Sequence, residues 1–207
     1  MKQSTILAGA LLAAMGLSAQ AATIDTEPSR LRALVDKRVI EDVRSLIDVP
    51  VTQLSVATQN QRHADLDQAS VDALDQQWRA ERDADDKPLI ASVLMNPLSF
   101  HLLKVQADSL GLFTEIFVMD AVGLNVGQSA VTSDYWQGDE AKFQKTFPVG
   151  PDTVFVDEAE YHEASGTWRA QLNIAVAAED GATAIGAATI EINLTELARR
   201  HALAKGY

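Results

Sequence analysis

The segment T-S-D-Y-W-Q-G-D-E-A-K-F, residues 132–143, sets two aromatic rings beside three carboxylates in a chain whose aromatic content is 6%. Tyr135 and Trp136 can wall an apolar slot while the phenol hydroxyl and the indole N–H keep a hydrogen-bonding edge. Asp134, Asp139 and Glu140 can hold a ligand amine, or they can cap a helix that runs into Phe143. Farther on, Arg169 offers a bidentate grip on a carboxylate. Asp157 stands where a strand gives way to an acidic loop and can reach an amine. Structural roles compete with every one of these: Trp136 as an anchor of the core, Arg169 in water or in a surface ion pair.

Two strand-like stretches bear on the choice. L-N-V-G-Q-S, residues 124–129, alternates so that Asn125, Gly127 and Ser129 share a face. In T-W-R-A-Q-L-N-I-A-V-A-A, residues 167–178, Arg169, Gln171 and Asn173 oppose the apolar set Trp168, Ala170, Leu172, Ile174 and Val176. Small and polar groups on a sheet face that should be covered predict a wet pocket, with Tyr135 and Trp136 as walls and Asn125, Gly127 and Arg169 as floor. Catalytic patterns are thin by contrast. No G-x-S-x-G, H-E-x-x-H or phosphate-loop pattern occurs. None of His63, His101, His162 and His201 has another four residues away, and residues 133–140 do not follow calcium-loop spacing. The residues predict a binding protein, not an enzyme, with no cofactor and no metal.

The elements that must position these groups follow from charge and periodicity. Lys2, the uncharged apolar run at residues 6–17 and A-Q-A at 19–21 read as an export signal cleaved after Ala21, so the compartment is the periplasm. Residues 22–207 then form one domain. With no cysteine there is no disulfide and no thiolate metal site. A net charge of -12 repels phosphate backbones, which argues against nucleic acid as a partner. Leu31, Leu34, Val35, Val39, Val43, Leu46 and Ile47 recur at helical spacing and predict a long N-terminal helix that ends or kinks at Val49-Pro50. A second segment continues to about Gln59. Ser70 is a candidate cap for a helix carrying Val71, Leu74 and Trp78, residues 81–87 form a solvated loop, and short helices follow around Asn96-Pro97.

From Thr114 the period becomes strand-like. T-E-I-F-V-M-D and L-N-V-G-Q-S make a hairpin about Asp120 and Gly123, and T-V-F-V-D-E-A-E-Y, T-W-R-A-Q-L-N-I-A-V-A-A and T-A-I-G-A-A-T-I-E-I follow. Asn193 with Glu196 starts a last helix. The fold class is α+β: a long N-terminal helix packed on a five-stranded antiparallel sheet.

This order of elements, with E-I-F-V-M-D-A-V-G-L-N-V-G-Q-S at 115–129, the segment 132–147 and V-A-A-E-D-G-A-T-A-I-G-A-A-T-I-E-I-N-L-T-E-L at 176–197, resembles the PDC/Cache family of extracytoplasmic, PAS-like sensor domains. The resemblance implies a PAS-like sheet and a ligand held between one sheet face and the loop or short helix after the first hairpin. Residues 132–143 occupy that loop, which would make Asp134, Tyr135 and Trp136 ligand contacts. It also implies a small polar ligand: an amino acid, an amine or a carboxylate. Family members are usually followed by a membrane helix and an output domain. This chain has neither after Tyr207, so it is similar to a free-standing periplasmic version that reports to a membrane receptor or histidine kinase. Any exposed remainder of the Leu31 to Ile47 stripe would serve a homodimer or that receptor.

Overall fold

The computed structural model describes residues 27–205; the expected export signal at residues 1–21 lies outside them. The architecture is α+β, an antiparallel sheet whose core face is covered by helices and whose other face carries one four-residue helix. The helical half opens with α1 (Pro28–Arg32), α2 (Lys37–Ile47) and α3 (Pro50–Arg62). The apolar spacing is continuous across them, but the backbone is not. Asp36 turns out of the helix, and its side chain accepts from the Val39 N–H, starting α2 afresh. Pro50 then opens α3, as a residue with no N–H to lose at a first turn.

Next come α4 (Gln68–Asp83), α5 (Pro88–Leu94) and α6 (Pro97–Asp108). Asp67, not Ser70, caps α4: its carboxylate accepts from the Ser70 N–H. Glu81 is not solvated as the sequence suggested; it is buried and accepts from the Ile90 N–H, pinning α5 to α4.

The sheet holds six strands: β1 (Phe113–Met119), β2 (Asn125–Gln128), β3 (Val154–Val156), β4 (Glu160–His162), β5 (Thr167–Ala177) and β6 (Ala184–Asn193). Their order is β2-β1-β6-β5-β3, with β4 also on β5, and every pairing is antiparallel. The strand expected at residues 153–161 is thus two strands, parted after Asp157, whose N–H still donates to the Gln171 carbonyl of β5 at 2.9 Å. A four-residue helix, α7 (Ala141–Gln144), lies between β2 and β3, and α8 (Leu194–Ala204) closes the chain with Asn193 accepting from the Glu196 N–H.

The main core fills the space between helices and sheet. Leu31, Val43, Ile47, Val56, Leu98 and Leu102 meet Ile116 and Val118 of β1, Leu172 and Ile174 of β5, and Ile190 and Ile192 of β6. The stripe from Leu31 to Ile47 is spent on this contact: Leu31, Val35, Val43 and Ile47 are buried, and Leu34, Val39 and Leu46 pack partly buried against the same core. Packing on the chain's own sheet therefore takes up most of the stripe, and Leu34, Val39 and Leu46 are its partly exposed remainder. No single helix among the described residues is long and apolar enough to cross a membrane.

Ile190 sits opposite Ile116 on one side and Leu172 on the other, with 1% of its surface exposed. Ile190→Ala is expected to cost about 2–5 kcal/mol of stability, read as a lower midpoint in denaturant unfolding with an unchanged slope.

Candidate functional site

The segment 132–143 divides into two parts with different work. Its first part is a corner of the core. Residues 134–137 run beside the free edge of β2: Asn125 N–H donates to the Tyr135 carbonyl at 3.0 Å, Gln137 N–H to the Gly123 carbonyl at 2.8 Å, and Leu124 bridges to Trp136. Asp75 of α4 holds this strip, its Oδ1 accepting from the N–H groups of Tyr135 at 2.9 Å and Trp136 at 3.1 Å. Arg79 links the other Asp75 oxygen to Asp134. The Tyr135 ring stacks on Trp78 at 5.2 Å. Burial, with the nearby Asp120 charge adding to it, pushes the Tyr135 phenol well above its ordinary value. The Trp136 indole N–H donates to the Val122 carbonyl at 2.8 Å. Gly123 and Gly138 make this fit: Gly123 has φ +88, and a Cβ on it would stand 2.6 Å from the Gly138 Cα.

The second part forms a roof. Phe143 of α7, with Phe147 partly buried beside it, packs on Phe117, Met119 and Ala187, which point away from the helices. That seats α7 over the far face of the sheet, and a cavity of about 220 Å³ opens between them. Glu140 at the N-cap of α7 and Ala141 and Lys142 within it line the cavity, with Arg169, Ala170 and Gln171 from β5, Glu191 from β6, Asp157 and Glu158 from the loop after β3, and Glu160 from β4. The floor follows from pleating: β5 sends Ala170 and Leu172 to the core and Arg169 and Gln171 the other way.

Charge dominates the lining. Arg169 pairs with Glu191 at 2.8 Å and also donates to Ser165 Oγ at 3.0 Å. Lys142 pairs with Glu140 at 3.0 Å. Glu191 also accepts from the Thr114 hydroxyl. Glu115, opposite Glu191 across the β1–β6 pairing, has its carboxyl pushed above the ordinary range, first by burial and then by the Glu191 charge; Lys142 and Arg169 oppose the shift. Asp157 and Glu158 are set by the first helix, because Arg32 donates to the carbonyls of Val156 at 2.5 Å and Asp157 at 2.9 Å.

The six residues singled out in the sequence therefore do not make one pocket. Asp157 and Arg169 line the cavity. Asn125, Asp134, Tyr135 and Trp136 do not line it. Asn125 is buried, its amide donating to Gln128, Thr132 and the Asp134 carbonyl, with its Oδ1 lacking a protein partner. Gly127 is no floor either: a Cβ there would stand 2.7 Å from Leu98 of α6. The reason is topological. Strands β1 and β6 lie between β2 and β5, so the Asn125 and Arg169 strands are about 14 Å apart at the usual strand spacing. Gln171, which shares the polar face of Arg169 in the sequence, lines the cavity as well; Lys142, Glu158, Glu160 and Glu191 carry no such reading there, although Glu191 alternates against apolar neighbours.

No family model matches the sequence, and no curated protein sequence matches it. Solved structures similar to this one are sensory and ligand-binding domains. The sensory domain of the Campylobacter jejuni chemoreceptor Tlp3 is 14% identical with a TM-score of 0.39, over 82% of this chain and 58% of that one. The extracellular domain of the putative histidine kinase rpHK1S-Z16 is 15% identical with a TM-score of 0.41, over 81% and 64%. The ligand-binding domain of the Pseudomonas aeruginosa amino acid chemoreceptor PctC, in complex with GABA, is 15% identical with a TM-score of 0.34, over 77% and 62%. The chain thus spans about three fifths of the length of these domains.

Two expectations follow from the geometry. Asp75→Ala strands two backbone N–H groups of the corner, and chemical denaturation should register a loss of about 1–3 kcal/mol. Glu115 keeps its proton to higher pH in the folded chain than in the unfolded one, so wild-type stability falls as pH rises from the ordinary 4.5 through the raised value. Glu115→Gln escapes that loss. It should melt above wild type at pH 7, and the gap should close as pH falls below that window.

Proposed function

We propose that this chain is a periplasmic sensing domain of PDC/Cache type that binds a small polar molecule without chemistry. Its ligand site is the cavity between α7 and the β5–β6 face, and its partner is a membrane receptor or histidine kinase. The observation that carries the reading is the cavity itself: about 220 Å³, roofed by a short helix after the first hairpin, with seven charged side chains on its walls. That volume lies below the range usual for drug-sized ligands, so the occupant is small. Two cations, Arg169 and Lys142, share the cavity with five carboxylates, the pattern that suits an amino acid. Its carboxylate would displace Glu191 from Arg169 or Glu140 from Lys142, and its amine would meet Asp157. The roof is fixed by Phe143 and the floor by strand pairing, so the charges are held in place before a ligand arrives.

Thermal-shift screening with L-amino acids, amines and dicarboxylates tests this. At a hundredfold excess over Kd, one compound should stabilise the chain by about 2.7 kcal/mol. Arg169→Ala and Asp157→Ala should each remove that shift, while Trp136→Phe, in the corner away from the cavity, should keep it. A shift that survives both cavity substitutions, or no shift across the panel, overturns the reading.

A further inference from the structure

The closing helix returns to the N-terminal ones, and a groove of about 400 Å³ runs between the start of α2 and the last turns of α8. Leu197, Arg200, His201 and Ala204 stand at helical spacing, so one face of α8 makes a wall. Asp36, Arg38, Val39 and Asp42 make the wall opposite, and Leu112 and Phe113 lie between. The bottom is apolar and recessed: Leu197 is 4% and Phe113 8% exposed. The volume falls in the range usual for small-molecule sites, which the cavity under α7 does not reach. The charge balance also differs. Three cations, Arg38, Arg200 and Lys205, meet two carboxylates here, whereas the cavity under α7 sets two cations against five. In a chain that carries -12, this is a local excess of positive charge. Asp36 is already engaged, since its side chain accepts from the Val39 N–H at 3.0 Å. Arg200 is fixed in place by Glu196 at 2.8 Å and the Ser109 carbonyl at 2.6 Å, and Glu196 divides itself between Arg200 and Arg199. Among the described residues, the side chains of Arg38 and Lys205 have neither a hydrogen bond nor an ion pair.

We propose that the α2–α8 groove is a second ligand site, one that takes a free medium-chain carboxylate. The alkyl tail would lie on Leu112, Phe113 and Leu197, and Arg38 and Lys205 would hold the head group. The charge balance selects the occupant. Three cations over two carboxylates leave one positive charge to be met, which a carboxylate supplies and a phosphate dianion exceeds. The apolar bottom asks for a tail as well as a head. A membrane surface fits less well: interfacial helices present their apolar side outward, and here it is sunk between two helices. Apolar lining alone does not single out this place. A groove of similar size beside α3, with Pro50, Leu54 and Ala57, has Glu179 and no cation on its described lining, so it repels an anion. The inference stands apart from the amino-acid reading, because the two sites share no lining residue.

Calorimetric titration with octanoate, kept below the concentration at which it forms micelles, tests this. The wild type should give a saturable one-to-one isotherm. Acetate, the head without the tail, and octanol, the tail without the head, should each bind about tenfold more weakly or worse. Arg38→Glu combined with Lys205→Glu, both at exposed positions, should raise the octanoate Kd about tenfold and leave the thermal midpoint at the wild-type value. Ala204→Trp, which fills the groove, should abolish the isotherm, and Leu54→Glu beside α3 should leave it unchanged. No heat from octanoate overturns the proposal, as does an isotherm that survives both the charge reversals and Ala204→Trp. A Kd raised by Leu54→Glu alone places the ligand beside α3 and overturns the assignment. Acetate that binds as tightly as octanoate overturns the role of the tail. Co-sedimentation with phosphatidylglycerol vesicles without any binding of octanoate gives the groove to lipid and overturns the free ligand.

Discussion

Successive side chains of a β-strand point to opposite faces, and β5 and β6 carry opposite chemistries on theirs. Ala170, Leu172, Ile174, Ala188, Ile190 and Ile192 face the helices and close the core. Arg169, Gln171 and Glu191 are thereby turned to the other side, where no long helix covers them. A one-residue slip in the pairing of these two strands would invert both faces at once. The stability of the core and the chemistry of the cavity thus rest on a single register.

The far face is covered only in part. Phe143 and Phe147 cover Phe117, Met119 and Ala187 near the centre of the sheet, and the charged end of β5 and β6 is left open as a cavity. Desolvation there is expensive. It raises the Glu115 carboxyl and is offset around Glu191 by a guanidinium and a hydroxyl. Arg169 and Lys142 each already pair with one of the five carboxylates of the lining, so a ligand that carries both signs can exchange one ion pair for another without leaving a cation buried alone.

The helical side is joined to the cavity at one place. Arg32 of α1 grips the Val156 and Asp157 carbonyls, and Arg44 of α2 donates to the Thr153 carbonyl at 3.2 Å. Both guanidinium groups satisfy acceptors along β3, an edge strand that would otherwise present open hydrogen-bonding groups to solvent. The wall that carries Asp157 and Glu158 is therefore held from the first helix of the described chain, 125 residues away in sequence.

Local rules decided a good deal in advance. Alternation alone separated the two faces of β5, the Asp120 to Gly123 turn marked the first hairpin, Asn193 marked the start of α8, and the apolar stripe from Leu31 to Ile47 was legible as core. Each depends on residues a few positions apart, whose geometry is set by backbone periodicity and capping. The site was legible only in pieces. Arg169 and Asp157 were visible as chemistry, but their neighbours were not, because Glu140, Lys142 and Glu191 come to them from other elements. Tyr135 and Trp136 were visible as a cluster, yet whether they wall a ligand or a core depended on Asp75 and Trp78, some sixty residues earlier. Sheet order made the decision: with β1 and β6 between β2 and β5, the aromatic corner and the charged cavity fall on separate parts of the molecule. Strand order is a long-range property, set by which apolar faces bury most together, and no spacing within one segment encodes it.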